Sequence, residues 1–277
     1  MPDLLRDLMD EGYCRAPVRL PAAMLDELRV ATEDLCADQS HEHAARFRAQ
    51  GSMFQLGSAR GAVFGRLISW PPALAVLASM GFDAPTYTDG YVISKPPRSP
   101  RLFWHYDWFA WEDPTAYDAT PQQVFLMYYL SDTRPTNGCL RAVPGSHIHH
   151  NALHDLIAEP HSRGLSEAGA NGAATTTRPD ELDIPVRAGD LLIGDARLLH
   201  ATHANDSEAR RTVITLWFQP DFAGLPDRIK AQMVAKTHAI PDAWPADLRA
   251  SVASLNPVYE GDADPYGRSL SRPRRYS

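Results

Sequence analysis

From Tyr87 onward the chain alternates short apolar runs with clusters of Pro, Gly, Asn and Asp: YTDGYVI, RLFWHYDWF, QVFLMYYLS, GCLRAV, DIPVRAGDLLIGD, RLLHATH and RTVITLWF. Runs of this length, rich in aromatic and β-branched residues, predict strands, and their spacing predicts an antiparallel sandwich or barrel and not alternating βαβ units. The first third reads differently. Met24, Leu28, Ala31 and Leu35 recur at helical spacing behind Pro21, so a helix with one apolar face is expected there. A second helix is expected from Pro72 to about Met80, stopped by Gly81. Helical periodicity returns after Pro220, in LPDRIKAQMVAK and PADLRASVASL. The expected organisation of 1–277 is a single domain, mainly β with flanking helices: a helical lead-in over about 1–85, a β core over about 86–220 and a helical cap over about 221–277. One stretch stands apart. Residues 161–182, HSRGLSEAGANGAATTTRPDEL, are small and polar and predict a long loop, either a lid over a site or a disordered segment.

Composition narrows the function classes. A chain of 277 residues buries enough surface to need no disulfides. Its net charge of −7 gives no general attraction to nucleic acid or anionic membranes, so neither is expected as a partner. The basic tail RSLSRPRRYS is expected to be a frayed, solvated terminus. No apolar run approaches the roughly 20 residues that span a bilayer, and the first residues carry acids where a signal peptide needs bases. Cys14, Cys36 and Cys139 form no CxxC pair, which suits a reducing compartment, and the expected location is cytoplasmic.

The candidate chemistry starts in RLFWHYDWFAWEDP, residues 101–114. On a strand, His105 and Asp107 share one face while Trp104, Tyr106 and Trp108 take the other. His200, at the end of GDLLIGDARLLH, offers a third metal ligand, with His203 as its rival. Two histidines and a carboxylate on one face of a β framework, with the far side of the ion open, form the facial triad of non-haem iron(II) oxygenases. Arg210 and Arg211 open the last strand, and a guanidinium at the mouth of a buried strand needs an anionic partner, a carboxylate suiting its planar fork. Phe109 and Trp111 continue the parity of His105 and Asp107 and are expected to reach the pocket as substrate contacts. Lys95 reads as an exposed lysine, Glu112, Asp113 and Asp118 as a solvated loop, and HIHHNALH as a surface turn, because nothing near it completes a tetrahedral zinc set.

The order His105-x-Asp107, then PGSH at 144–147, then GDLLIGDARLLH ending in His200, then an arginine about eleven residues later, resembles the phytanoyl-CoA dioxygenase-like (PhyH) family of Fe(II)/2-oxoglutarate-dependent oxygenases. The opening LMDEGYCRAPVRLPAAMLDELRVATEDL is similar to the helical lead-in common there, and the likeness covers most of residues 5–220. The resemblance implies a double-stranded β-helix, a jelly roll of cupin-like type. It implies Fe(II) held by His105, Asp107 and His200, with 2-oxoglutarate as co-substrate and O2 as oxidant. It makes Arg211 the partner of the distal 2-oxoglutarate carboxylate, preferred to Arg210 by its distance from His200, and Thr202 a hydroxyl near the co-substrate.

The implied activity is that of a dioxygenase hydroxylating an unactivated C–H bond, with release of succinate and CO2. Asp107 argues against halogenation, since related halogenases carry a small residue there. The same cofactors would also serve desaturation or cyclisation. A jelly-roll metal isomerase or hydrolase would have no use for Arg211, and a non-catalytic binding protein would not be expected to bind iron and 2-oxoglutarate together. No basic cluster offers itself to a CoA tail, which favours a free small molecule, such as a natural-product biosynthetic intermediate, as substrate.

Overall fold

The structure, a computed structural model, describes residues 3–58, 61–157, 172–267 and 272–276. Among them ten strands form two antiparallel sheets. The larger runs in the order β1 (Tyr13–Arg19), β8 (Asp190–Asp195), β5 (Val124–Tyr129), β10 (Arg211–Gln219), β3 (Thr86–Lys95) and β2 (Ser52–Gln55). The smaller runs β4 (Leu102–His105), β9 (His200–Thr202), β6 (Leu140–Ala142) and β7 (Leu182–Ile184). Eight helices accompany them: α1 (Leu4–Glu11), α2 (Ala22–Ala37), α3 (His41–Arg46), α4 (Ala62–Ile68), α5 (Pro71–Ser79), α6 (Ala152–Leu156), α7 (Asp227–Lys236) and α8 (Ala246–Ala253).

Strand alternation sorts most of the buried apolar side chains among the described residues into three large cores, with a small fourth cluster at Leu102, Phe103 and Ala174. On β10, Ile214, Leu216 and Phe218 join Leu126 and Tyr128 of β5 beneath the helices, against Leu25 and Leu28 of α2 and Phe64 and Leu67 of α4. The other face of the same strands sends Val213, Phe125, Met127 and Tyr129 into the space between the sheets, with Leu140 and Ala142 of β6. A third core behind the small sheet gathers Trp104, Tyr106, Trp108 and Trp111 with Ile229 and Met233 of α7. The apolar helical stretch Ala62–Ser79 is divided near Trp70 into α4 and α5, whose Val63, Phe64, Leu67, Ala73 and Leu77 enter the first core.

Several expectations hold. The helix behind Pro21, the helix before Gly81 (φ +84°) and both C-terminal helices are present, and the β core is the jelly-roll pair of sheets.

Others are corrected. The helical lead-in also contains β1 and β2, which form the two edges of the large sheet. β1 carries Pro17 and a mixed burial pattern, which reads as a loop in sequence and is tolerated because the strand pairs on one side only. The strand expected over 101–109 ends at His105. His147 and His154, read as part of a surface turn, are buried: His147 Nε2 lies 3.0 Å from Met9 O, and His154 Nδ1 accepts from Asn151 N to close a capping box on α6. Asp113 is also buried, capping the turn at Pro114–Tyr117 and accepting from Tyr266 Oη. The tail docks at Tyr276, whose hydroxyl donates to His147 O and whose ring packs edge-on against Trp111 and Tyr117. Of the loop expected over 161–182, residues 161–171 lie outside the described residues. Its second half is pinned to the small sheet, where Trp104 Nε1 and Arg141 Nη2 both donate to Thr176 O.

Candidate active site

β4 and β9 pair so that His105 stands directly opposite His200 in the register, and their ring centroids are 4.2 Å apart. Each imidazole is held the same way. His105 Nδ1 lies 3.0 Å from Phe103 O and His200 Nδ1 lies 3.0 Å from Leu198 O. A carbonyl can only accept, so both rings carry their proton on Nδ1 and turn an Nε2 lone pair inward, the tautomer a metal requires.

Asp107 arrives by a different route from the one strand parity predicts. Past the end of β4, the N–H groups of Asp107 and Trp108 both donate to Ala196 O, and this fold-back brings Asp107 Oδ1 to 4.0 Å from His105 Nε2. One ligand atom from each of His105, Asp107 and His200 lies within 4.8 Å of the others. Two imidazoles and one carboxylate on the inner wall of the sandwich could hold a divalent transition metal on one side only, with its remaining positions open to ligands.

The turn leading into β9 is fixed by a buried ion pair. Arg197 Nη2 lies 2.6 Å from Asp195 Oδ2, and the guanidinium also donates to the carbonyls of Ala116, Asp118 and Ala119. Every donor finds an acceptor, the condition under which a buried pair holds geometry. Neither residue stood out in the sequence, because the carbonyls they bind lie some eighty residues away.

Arg211 opens β10 on the inner face, the parity of Val213, and is fully buried. Among the described residues its guanidinium makes no hydrogen bond or ion pair, and Nε is a buried donor without a partner. Burial lowers its pKa, and the Tyr129 hydroxyl lies near enough to oppose that shift. Arg210 differs in every respect: it faces the helix side, and its Nη1 donates to Ser94 O at 3.1 Å. Thr202, two residues beyond His200 and on the same face, has a buried Oγ1 without a partner among the described residues, as does Thr215 on β10. Gly138 passes against Arg211, where an added Cβ would lie 3.2 Å from Arg211 Nε and 3.0 Å from Lys95 Cδ.

Lys95 is not exposed as the sequence led us to expect. It is fully buried opposite Arg211 in the β3–β10 register, and Nζ donates to the carbonyls of Ala49 and Pro100. Burial first, and the Arg211 charge second, hold its pKa well below the usual lysine value. His203, the rival of His200, pairs with Asp183 at 2.5 Å.

Of the two expected substrate contacts, Phe109 is buried beneath Lys236, whose Nζ sits 3.3 Å from the ring centroid. Trp111 packs with Tyr106 and Tyr117 in the core behind the small sheet, away from the inner face. Its expected position fails because the strand whose parity it extrapolates has already ended. The sequence reading missed Trp217, whose Nε1 donates to Asp107 Oδ2 at 3.1 Å. It also missed the half-buried inner face of β2 and β3. There Gln55 Nε2 donates to the Tyr91 hydroxyl at 2.8 Å and His238 Nε2 lies 3.1 Å from Asp89 Oδ1.

Residues 8–213 match the family described as phytanoyl-CoA dioxygenase (PhyH). A curated Dictyostelium discoideum protein, the phytanoyl-CoA dioxygenase domain-containing protein 1 homolog, is 28% identical over 109 residues, which is 39% of this chain and 38% of that protein's length. Among solved structures, HygX from Streptomyces hygroscopicus, with nickel and 2-oxoglutarate bound, superposes with a TM-score of 0.59 at 22% identity over 80% of this chain and 88% of its own. The non-heme alpha ketoglutarate dependent carbocyclase SnoK from nogalamycin biosynthesis gives a TM-score of 0.59 at 19% identity over 79% and 84%. Likeness at these identities speaks for the fold. Taken with the family match across most of its length, it makes this chain a member of the phytanoyl-CoA dioxygenase family.

Proposed function

We propose that the chain is an Fe(II)/2-oxoglutarate-dependent dioxygenase that hydroxylates a C–H bond of a small molecule, with His105, Asp107 and His200 as the metal ligands. The observation that carries the reading is Arg211: a buried guanidinium that makes no hydrogen bond or ion pair among the described residues, on the inner face that also holds the histidine pair. An uncompensated buried charge costs several kcal/mol, on the order of 3–5, unless an anion meets it. The distal carboxylate of 2-oxoglutarate is such an anion, and the Thr202 hydroxyl, which has no partner among the described residues, is a candidate second donor to the co-substrate. A metal isomerase or hydrolase would leave Arg211 without a purpose.

Iron held by His105, Asp107 and His200 would let O2 act as the oxidant, with 2-oxoglutarate giving up two electrons and one carboxyl to leave as succinate and CO2, and the substrate C–H bond supplying the other two. The protein's part is to orient and exclude. His105 and His200 present Nε2, Arg211 fixes the co-substrate's far end, and the closely packed wall of Phe125, Met127, Tyr129 and Val213 keeps water from it. The substrate is a free small molecule that lies along the half-buried side of the large sheet, against Gln55, Asp89, Tyr91 and Trp217. Those side chains suit a compound with hydrogen-bonding groups and a flat or ring-shaped apolar face, such as a natural-product intermediate. The three free cysteines fit a cytoplasmic location.

Because SnoK is a carbocyclase, the product decides between outcomes. Purified protein with Fe(II), 2-oxoglutarate and O2 is screened against natural-product intermediates, with succinate release and product mass as readouts. Succinate release coupled to insertion of one oxygen atom supports hydroxylation. Loss of two hydrogens with no oxygen gained would replace that reading with desaturation or ring closure.

A further inference from the structure

We propose that Trp217 is a positioning residue for the metal carboxylate: its indole N–H holds one oxygen of Asp107 so that only the other is offered to the metal. The inference rests on the metal reading of His105, Asp107 and His200 and adds a control on how many positions the carboxylate takes.

The two oxygens of Asp107 have different neighbours. Oδ1 is the atom 4.0 Å from His105 Nε2, while Oδ2 accepts from Trp217 Nε1 at 3.1 Å. A carboxylate can ligate through one oxygen or through both. In a facial triad the difference matters, because three protein ligands leave three positions, two of which a chelating 2-oxo acid fills. A second Asp107 oxygen on the metal would occupy the last. An indole is suited to prevent this, since it is a donor only and has no protonation state to change near neutral pH.

The strand is shaped to deliver that donor. The β10–β3 register slips between Trp217, opposite Asp89, and Phe218, opposite Tyr87, so that β3 carries Thr88 as an additional residue. A bulge of this kind re-aims the side chain beside it. It is tied down by the hydroxyls of Thr86 and Thr88, which both donate to Gln219 Oε1. On the other side of the indole, Tyr91 meets the ring edge-on, with centroids 5.9 Å apart at 81°. Trp217 is only half-buried, so packing alone does not account for a bulge, two hydroxyl ties and an edge contact all converging on its orientation.

The test uses Mn(II), whose bound water is counted by proton relaxation without 2-oxoglutarate, O2 or substrate. Wild type, Trp217→Phe and Trp217→His are titrated with Mn(II), with thermal melts to show that each folds. The wild type should show the relaxivity of a site with three water positions. Trp217→Phe, which loses the donor, should lose about one third of it as the second oxygen displaces a water. Trp217→His, which retains an N–H, should recover most of the wild-type value. Unchanged relaxivity and unchanged Mn(II) affinity in Trp217→Phe would overturn the proposal.

Failure of the metal reading itself looks different: the wild type would then bind no Mn(II) that His200→Ala abolishes. If Trp217→Phe does not fold, hydrogen exchange at the Trp217 indole decides in the wild type. Exchange slowed by Zn(II) supports a retained bond to Asp107, and exchange accelerated by Zn(II) means the carboxylate has turned both oxygens to the metal and the proposal fails.

Discussion

The small sheet carries two clusters with the composition of a metal site, and they differ in what holds their side chains. His105, Asp107 and His200 sit where β4 meets β9, while Glu181, Asp183 and His203 sit beside β7, and in both the ligand atoms lie within 4.8 Å of one another. In the second cluster His203 is bonded to Asp183 at 2.5 Å. Both oxygens of Glu181 are held by Arg141, a buried arginine that also donates to the carbonyls of Thr175 and Thr176. That cluster is a closed network that staples the chain after residue 172 to the sheet. In the first, backbone carbonyls fix the imidazoles by Nδ1 and direct Nε2 to a common point. Residue type and proximity are shared by the two; the direction of the lone pairs is not.

The largest effect should separate the two histidines. His200→Ala should lower Fe(II) affinity by more than the roughly 10–100-fold that outer partners of metal ligands are worth, while His203→Ala leaves it within a few-fold, both read by metal titration. Equal losses would make the distinction wrong.

The two buried arginines sharpen it. Arg141→Ala should destabilise the fold by about 3–5 kcal/mol, since Glu181 is left without its partner, measured by urea denaturation. Arg211→Ala should leave the ligand-free fold at least as stable, because it removes an uncompensated charge. Its 2-oxoglutarate affinity should fall by about 2–5 kcal/mol, the range for truncating one side of a buried charge pair. Thermal shift with and without 2-oxoglutarate checks this, and stabilisation of Arg211→Ala equal to that of the wild type would contradict it.

Acid should act through His154. Burial, with the neighbouring His150 charge second, depresses its pKa from 6.5 to about 4. Between those values the unfolded chain takes up a proton that the folded chain does not, so the contribution present above pH 6.5 is lost as pH falls toward 4. His154→Gln keeps the usual capping-box partner and should flatten that part of the stability profile by roughly 1–3 kcal/mol. The check is denaturation at stepped pH.

The smallest effect is expected at Gly138, whose φ of +83° strains any side chain and where an added methyl would press against the side chains of Lys95 and Arg211. Gly138→Ala should cost about 1–2 kcal/mol of stability and weaken 2-oxoglutarate binding a few-fold, by the same titration.

The residues of the candidate centre were legible where chemistry follows from residue type and spacing: His105, His200 and the arginine eleven residues beyond. Asp107 lies beside His105 for a reason other than the one the sequence suggested, since a backbone fold-back onto Ala196 brings it there and not strand alternation. The same assumption misplaced Trp111. Arg210 and Arg211 were inseparable by parity until the structure showed which side of β10 faces the other sheet. Lys95, the Asp195–Arg197 pair and Trp217 were illegible for a common reason. Each has a defining partner far off in the chain: Ala49 and Arg211 for Lys95, the carbonyls of Ala116, Asp118 and Ala119 for Arg197, and for Trp217 the carboxylate of Asp107, 110 residues away. The β sandwich was readable from its short strands, whereas β1, with its proline and weak alternation, shows itself only through its pairing with β8.

The most direct test of the central claim is an anaerobic titration of the metal-free protein with Fe(II) and then 2-oxoglutarate, followed in the visible. A metal-to-ligand charge-transfer band in the wild type, lost in Asp107→Ala and weakened in Arg211→Ala, is the predicted result. Iron bound without any band would contradict the account.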